Sequence, residues 1–207
     1  MGVTSYSVPG RSATATIEVK RSRFLCRVER VGSEDDARAV VEASRKEHWD
    51  ARHHCSAFVI GPDARLARSS DDGEPAGTAG APMLEVLRGA QVSDVVVVVT
   101  RWFGGVLLGA GGLVRAYGDA VRVGLEAAGT RERRLLSLVS VAVPHADAGR
   151  LENDLRARGH VVRGTSYAEA ATLLLAVDPS VAVGPLLAEL TGGTADWNPA
   201  GEEWVDP

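Results

Sequence analysis

The stretch that most limits what this chain can fold into is Thr100-Arg-Trp-Phe-Gly-Gly-Val-Leu-Leu-Gly-Ala-Gly-Gly-Leu-Val-Arg-Ala-Tyr117. It begins where the valine run Val95–Val99 ends. It leads into a helical pattern in which Leu113, Tyr117, Ala120, Val121, Gly124 and Leu125 share one face. Gly104, Gly105, Gly109, Gly111 and Gly112 permit positive φ and close backbone approach, because glycine has no Cβ. A strand, a glycine loop and a helix N-terminus in that order offer free N–H groups and a positive dipole end. Arg101 and Arg115 flank the loop, so the stretch reads as a candidate anion-binding element. A tight packing turn is the alternative, and Arg101 at the strand end tips the balance towards binding.

Nucleotide loops fit the stretch poorly. Gly104 and Gly109 have P-loop spacing, but Ala110 stands where the phosphate-binding lysine belongs. Gly109-Ala-Gly-Gly112 supplies two of the three dinucleotide-fingerprint glycines, and a helix is already under way at the third.

The remainder of the chain falls into two patterns. Before the loop, Met1–Arg11 reads as an unsettled leader. Thr14–Val19 and Phe24–Val28 alternate as a hairpin across Lys20–Arg23. Ser33 with Asp36 opens a helix running to about His48. His53–Ile60 and a short run near Leu66 are strands about the Gly61-Pro-Asp63 turn. Pro82 suits the first position of a helix ending near Gly89, and Val92–Val99 is a strand buried on both faces. Arg115 with Asp119, and Arg122 with Glu126, are spaced as ion pairs on the following helix, which Gly129 stops.

Thr130–Arg134 is polar and reads as a linker. The pattern then resets to β-α-β-β-α-β: Leu136–Val143, Pro144–Arg158, His160–Tyr167, Ala171–Val177, Pro179–Leu190, and a strand within Thr194–Val205. This is the split βαβ order of ferredoxin-like domains. The expected class is α+β, with an N-terminal α/β two-layer domain over residues 1–130 and a ferredoxin-like domain over 135–207.

Composition excludes several classes. No apolar run approaches the ~20 residues of a membrane helix, and Met1–Arg11 lacks the apolar core of a signal peptide, so the expected location is the cytoplasm. Cys26 and Cys55 are too few for a disulfide framework and lie in apolar runs, as reduced buried cysteines do. The net charge is −4, which argues against strong non-specific nucleic-acid binding. It is unevenly spread: residues from Leu135 onward carry 4 Arg against 10 Asp and Glu, and Met1–Arg134 carries 19 basic against 17 acidic residues. A polyanion would meet the first half.

Two further clusters bear on chemistry. Asp71, Asp72, Gly73 and Glu74 lie in Ser69-Ser-Asp-Asp-Gly-Glu-Pro-Ala-Gly-Thr-Ala-Gly-Ala-Pro82, a loop too long for a tight turn. Their carboxylates suit a hard cation or acid–base work but lack the spacing of a calcium loop. In His53-His-Cys55, strand alternation puts His53 and Cys55 on one face and His54 on the other. That leaves fewer ligands together than structural zinc needs. A Cys–His nucleophile pair is also open, although the core side of a strand is a poor place for a thiolate. Neither a metal nor a cofactor is called for.

The acidic loop and Val98–Gly118 resemble the two signatures of the YigZ/IMPACT family, and Ser22-Arg-Phe24 and Ala51-Arg-His-His-Cys-Ser-Ala57 resemble its weaker motifs. The second half is similar by layout to the C-terminal domain of the bacterial members. The resemblance implies a first domain like the second domain of ribosomal proteins and the fourth domain of elongation factor G, and a second domain like that factor's fifth. It implies regulation of translation, which eukaryotic relatives achieve by competing for an activator of a stress-response kinase. The positions matched to the signatures are Asp71, Asp72, Gly73, Glu74, Arg101, Gly104, Gly105, Gly109, Gly111, Gly112 and Arg115, with no role attached to any of them.

The expected function is a non-enzymatic, translation-linked protein that binds RNA, the ribosome or a ribosome-associated protein, with Arg101 and Arg115 meeting phosphate. The alternative is an enzyme acting on a small phosphate-bearing substrate in a pocket between the acidic and glycine loops. A third reading makes both signatures fold-defining turns. Whether the two loops meet in space separates these readings.

Overall fold

The computed structural model describes residues 2–206. They divide into two compact units, one built on Val3–Glu132 and one from Arg133 onward. Both are mixed helix and antiparallel sheet, the α+β class expected.

In the first unit the elements run β1 (Ser5–Pro9), β2 (Ala13–Val19), β3 (Ser22–Arg30), α1 (Glu34–Glu47), β4 (His53–Ile60), β5 (Leu66–Ser70), α2 (Gly80–Gly89), β6 (Val95–Trp102) and α3 (Ala110–Ala128). The sheet order is β2-β3-β6-β4-β5, antiparallel throughout, with the valine run of β6 at its centre. Side chains of a strand alternate between faces. Val95, Val97 and Val99 therefore join Phe24, Cys26, Cys55 and Tyr117 beneath α2 and α3. Val96 and Val98 join Phe58 and Ile60 on the opposite face, where α1 lays Ala37, Val40 and Val41 over them. Covering on both faces is why β6 tolerates five consecutive valines.

Helix α1 starts as the sequence indicated: the Asp36 N–H donates to Ser33 Oγ at 3.1 Å, and the Ser33 hydroxyl donates to the Asp36 carboxylate at 2.7 Å. Helix α3 packs so close to the sheet that a Cβ on Gly124 would lie 2.6 Å from Cys26 Sγ. Both cysteines are buried and free.

The second unit comprises β7 (Thr130–Val143), α4 (His145–Ala157), β8 (Val161–Tyr167), β9 (Ala171–Val177), α5 (Val183–Thr191) and β10 (Asp196–Val205). The pairing order β10-β7-β9-β8 is that of the ferredoxin-like split βαβ. Val139, Val141, Leu173 and Leu175 meet Leu151, Leu155 and Leu187 in its core.

Several details differ from expectation. Residues 5–9 are a strand, not a leader: the Ser93 N–H donates to the Ser7 carbonyl at 2.9 Å, the Tyr6 hydroxyl donates to Asp94 at 2.6 Å, and Val8 is fully buried. Thr130–Arg134 is the start of β7, not a linker. Backbone pairing such as Arg134 with Val205 does not require apolar side chains. Helix α2 starts two residues before Pro82, which the first turn accommodates because its N–H groups lack helical partners. Asp119 pairs with Arg122 at 2.7 Å rather than with Arg115. No helix among the described residues is long and apolar enough to cross a membrane.

Candidate functional site

The acidic loop is fastened from within. The Asp71 carboxylate accepts from the backbone N–H groups of Gly77, Ala79 and Gly80 at 2.8, 3.0 and 2.8 Å. Helix α2 has no side-chain cap at Ala79, so Asp71 caps it from nine positions upstream of Gly80. Burial pushes this carboxyl up, but the three N–H groups outweigh burial and hold it below the usual range. The Asp72 carboxylate accepts from the His54 N–H and from Arg45, both at 2.6 Å, while its carbonyl oxygen lies 3.0 Å from His53 Nδ1. Asp72 and Gly73 both take positive φ, 42° and 82°, which turns the loop so that Glu74 points inward.

Glu74 and Arg101 form a deeply buried ion pair. Arg101 Nη1 donates to Glu74 Oε1 at 2.7 Å, and the two residues are 7% and 8% exposed in the order Arg101, Glu74. The Tyr117 hydroxyl donates to the same oxygen at 2.7 Å. Cys55 Sγ lies 3.3 Å from the Tyr117 oxygen and 3.0 Å from the Asp71 carbonyl. One clasp therefore ties the acidic loop to β4, β6 and α3. Arg101 is turned into the protein, where Phe24 lies edge-on to Tyr117. Of the two arginines that flank the glycine loop, only Arg115 is exposed.

The glycine loop makes a different contact. Gly104 sits on the turn between β2 and β3: a Cβ there would lie 2.0 Å from the Arg21 carbonyl carbon, and its N–H donates to Ser22 Oγ at 3.1 Å. Gly105 and Gly109 have φ of 83° and 74°, and Gly109 caps α3 without a side-chain hydrogen bond. Gly111 has open space at its Cβ, and Gly112 packs on Leu108. A cavity of about 360 Å³ beside the loop is lined by Val19, Lys20, Leu108, Gly112, Arg115, Ala116 and Asp119, with no residue of the acidic loop. The acidic loop therefore meets β6 and the middle of α3, while the glycine loop meets the β2–β3 turn.

Sequence reasoning missed what gathers around that turn. Lys20 and Arg21 form a two-residue hairpin turn with φ of 45° and 67°, values that favour glycine or asparagine. Arg23 lies opposite Trp102 in the register, with its guanidinium 3.8 Å from the centre of the indole ring. The Trp102 Nε1–H donates to Asp50 at 2.8 Å, and the His48 ring meets the indole edge at 5.3 Å. Trp49, Phe103 and Leu107 are 83%, 55% and 82% exposed. Lys20, Arg21, Arg23, Arg52 and Arg115 have no carboxylate partner among the described residues. The available signal was Lys20-Arg-Ser-Arg23 as a charge cluster in a hairpin, together with the two tryptophans.

The buried groups are poorly placed for chemistry on a diffusing substrate. Burial pushes the Cys55 thiol up to about 12, against a smaller opposing effect of the Tyr117 hydrogen bond. Cys26 is likewise pushed up to about 12 by burial. Thiols held so high are not thiolates near neutrality. Burial also lowers His54, with Asp72 opposing and Arg45 reinforcing the shift. Its Nδ1 lies 3.2 Å from Thr100 Oγ1. Among the described residues no three His, Cys, Asp or Glu side chains gather as a metal site.

Comparisons with known proteins agree with this architecture. Residues 20–125 match the Impact N-terminal domain, and residues 141–194 match a domain of unknown function, DUF1949. The chain is 39% identical over 194 residues to the IMPACT family member YvyE of Bacillus subtilis, covering 93% of this chain and 89% of that protein. It is 45% identical over 135 residues to YigZ of Escherichia coli, covering 64% and 66%. Protein IMPACT of Rattus norvegicus is 35% identical over 100 residues, 46% of this chain and 31% of that protein. The crystal structure of a hypothetical protein superposes with a TM-score of 0.65 at 35% identity, covering 94% of this chain and 96% of that one.

Proposed function

The chain belongs to the IMPACT family, and we propose that it is a non-enzymatic, translation-linked binding protein that meets RNA phosphate through the β2–β3 turn and its surroundings. One observation carries the reading: Lys20, Arg21, Arg23, Arg52 and Arg115 lie exposed without a carboxylate partner. Elsewhere in the same unit Arg27, Arg38, Arg45, Arg65, Arg88 and Arg122 each have an acid within salt-bridge distance. Lys20 and Arg115 line one cavity, in which the Asp119 carboxylate is paired with Arg122, so the hairpin turn and the first turns of α3 present charge together. Unneutralised cations concentrated on one end of an otherwise acidic protein direct a polyanion to that end.

The acidic loop takes a supporting part. Asp71 caps α2, Asp72 holds Arg45 and β4, and Glu74 holds Arg101, so these carboxylates are engaged by the fold itself. Gly104 seats the glycine loop on the turn that carries Lys20 and Arg21. On this reading the two signatures shape and brace the binding end, and Arg115 is the signature residue that touches the partner.

The test is a titration of ribosomes and structured RNA with wild-type protein and with the Arg23→Ala/Arg52→Ala/Arg115→Ala variant at several salt concentrations. Each lost phosphate contact lowers the slope of log affinity against log salt by about 0.7–0.9, so three contacts lower it by about 2. An unchanged affinity and slope would remove the cationic end from consideration.

A further inference from the structure

We infer that the ligand of the cationic end is single-stranded nucleic acid, whose unpaired bases stack on Trp49 and on the Arg23–Trp102 pair. The inference rests on the phosphate-binding reading above and adds the strandedness of the ligand and the groups that detect it.

Trp49 is the key residue. It is 83% exposed and directly follows His48, the residue that ends α1. Both of its chain neighbours are fastened to Trp102: the His48 ring meets the indole edge, and the Asp50 carboxylate accepts from the indole N–H. The backbone of residues 48–50 is thereby held while the Trp49 ring stands in solvent. A large flat ring held out in this way is a contact surface without a contact in the protein alone. Its backbone is set in advance, so a ligand has only the rotamers of the ring to order.

Trp102 itself is covered on one face by the Arg23 guanidinium. A guanidinium plane lying on an indole is a second stacking surface, and it carries charge for a phosphate as well. Arg52 directly precedes β4, whose His53 lies opposite Arg101 in the register. This sets Arg52 at the same end of the sheet as Arg23 and Trp102.

Flat rings and unpaired cations together select a strand over a duplex. Bases inside a duplex are already stacked on one another and present no open face to a side chain, whereas a single strand offers both faces and its phosphates. An acidic protein segment would neutralise the same cations but has no series of flat rings to lay on Trp49.

The experiment uses the full chain with a mixed-sequence 12-nucleotide RNA, the corresponding DNA, the 12-base-pair duplex and poly-glutamate. Binding is read by fluorescence anisotropy of end-labelled ligands. The wild type is expected to prefer either single strand over the duplex. Trp49→Ala is expected to weaken single-strand binding about tenfold, the order of one stacked base, and to leave duplex binding unchanged. Trp49→Phe is expected to restore most of the loss. Because Trp49 is exposed, the melting temperatures of the three proteins should coincide, which separates stacking from folding. If Trp49→Ala binds single strand as the wild type does, stacking is overturned and the phosphate reading stands. If neither single strand nor duplex binds, both fall, and binding of poly-glutamate alone would replace them with an acidic protein partner.

Discussion

Glu74 lies at 8% exposure, and Arg101 and Tyr117 both donate to the same one of its oxygens. Taking two charges from water is expensive, and their attraction offsets that cost only while both are present. Glu74→Gln should therefore cost about 3–5 kcal/mol, since it keeps the shape but leaves Arg101 charged and unmatched in the core. Arg101→Met should cost a similar amount. The double variant should lose much less than the sum, because the stranded charge is gone. Urea unfolding of the four proteins measures this, and additive losses would show that the two residues act independently. The sequence made Glu74 and Arg101 visible as signature residues, but not as partners. They stand 27 positions apart, and only the positive φ of Asp72 and Gly73 aims one at the other. Tyr117 was legible as a core residue of α3, whereas its hydroxyl contact was not, since helical spacing reports which way a side chain faces and not what its polar tip meets.

The β2–β3 hairpin shows a conflict at the scale of one element. Alternation alone located both strands, because Ile17 and Val19 and Phe24, Cys26 and Val28 each recur at every second position. The gap between the two runs placed the turn within Lys20–Arg23, but its two-residue form was not legible, since Lys20 and Arg21 are poor residues for positive φ and no Asn-Gly marks the spot. A non-glycine residue held in the left-handed region costs roughly 1 kcal/mol, and such strain tends to collect at working sites. Lys20→Asn/Arg21→Gly should therefore raise stability by about 1 kcal/mol while weakening RNA binding and flattening its salt dependence. Thermal melts read beside the titration test both halves. A variant both more stable and fully competent in binding would make the turn cations irrelevant to the partner. Gly104 constrains the same element from the other side: the backbone of Arg21 occupies the space a Cβ would need, which explains why a glycine loop follows β6.

At the scale of the molecule, each unit holds a main apolar cluster of its own. The first has Phe24, Cys26, Val97, Val99 and Tyr117 at its centre, and the second has Val141, Leu151, Leu155, Leu173 and Leu175. The reset of pattern after residue 134 was legible, because the β-α-β-β-α-β order is written in apolar periodicity. The strand character of Thr130–Arg134 was not legible, because its side chains are polar and show no apolar alternation, while its backbone continues into β7. Two clusters of this kind predict two thresholds of opening, since stability is distributed among cooperative units rather than spread evenly. Glu74→Gln supplies the probe, as it weakens a group that belongs to the first cluster's surroundings alone. Amide hydrogen exchange of this variant should speed up throughout β3, β4 and β6. Protection in residues 137–143 and 171–177, which pair β7 with β9, should stay at its wild-type level. Equal acceleration in both regions would mean that one cooperative transition spans the chain. The loss at Glu74 would then report on the whole protein rather than on the unit that carries the cationic end.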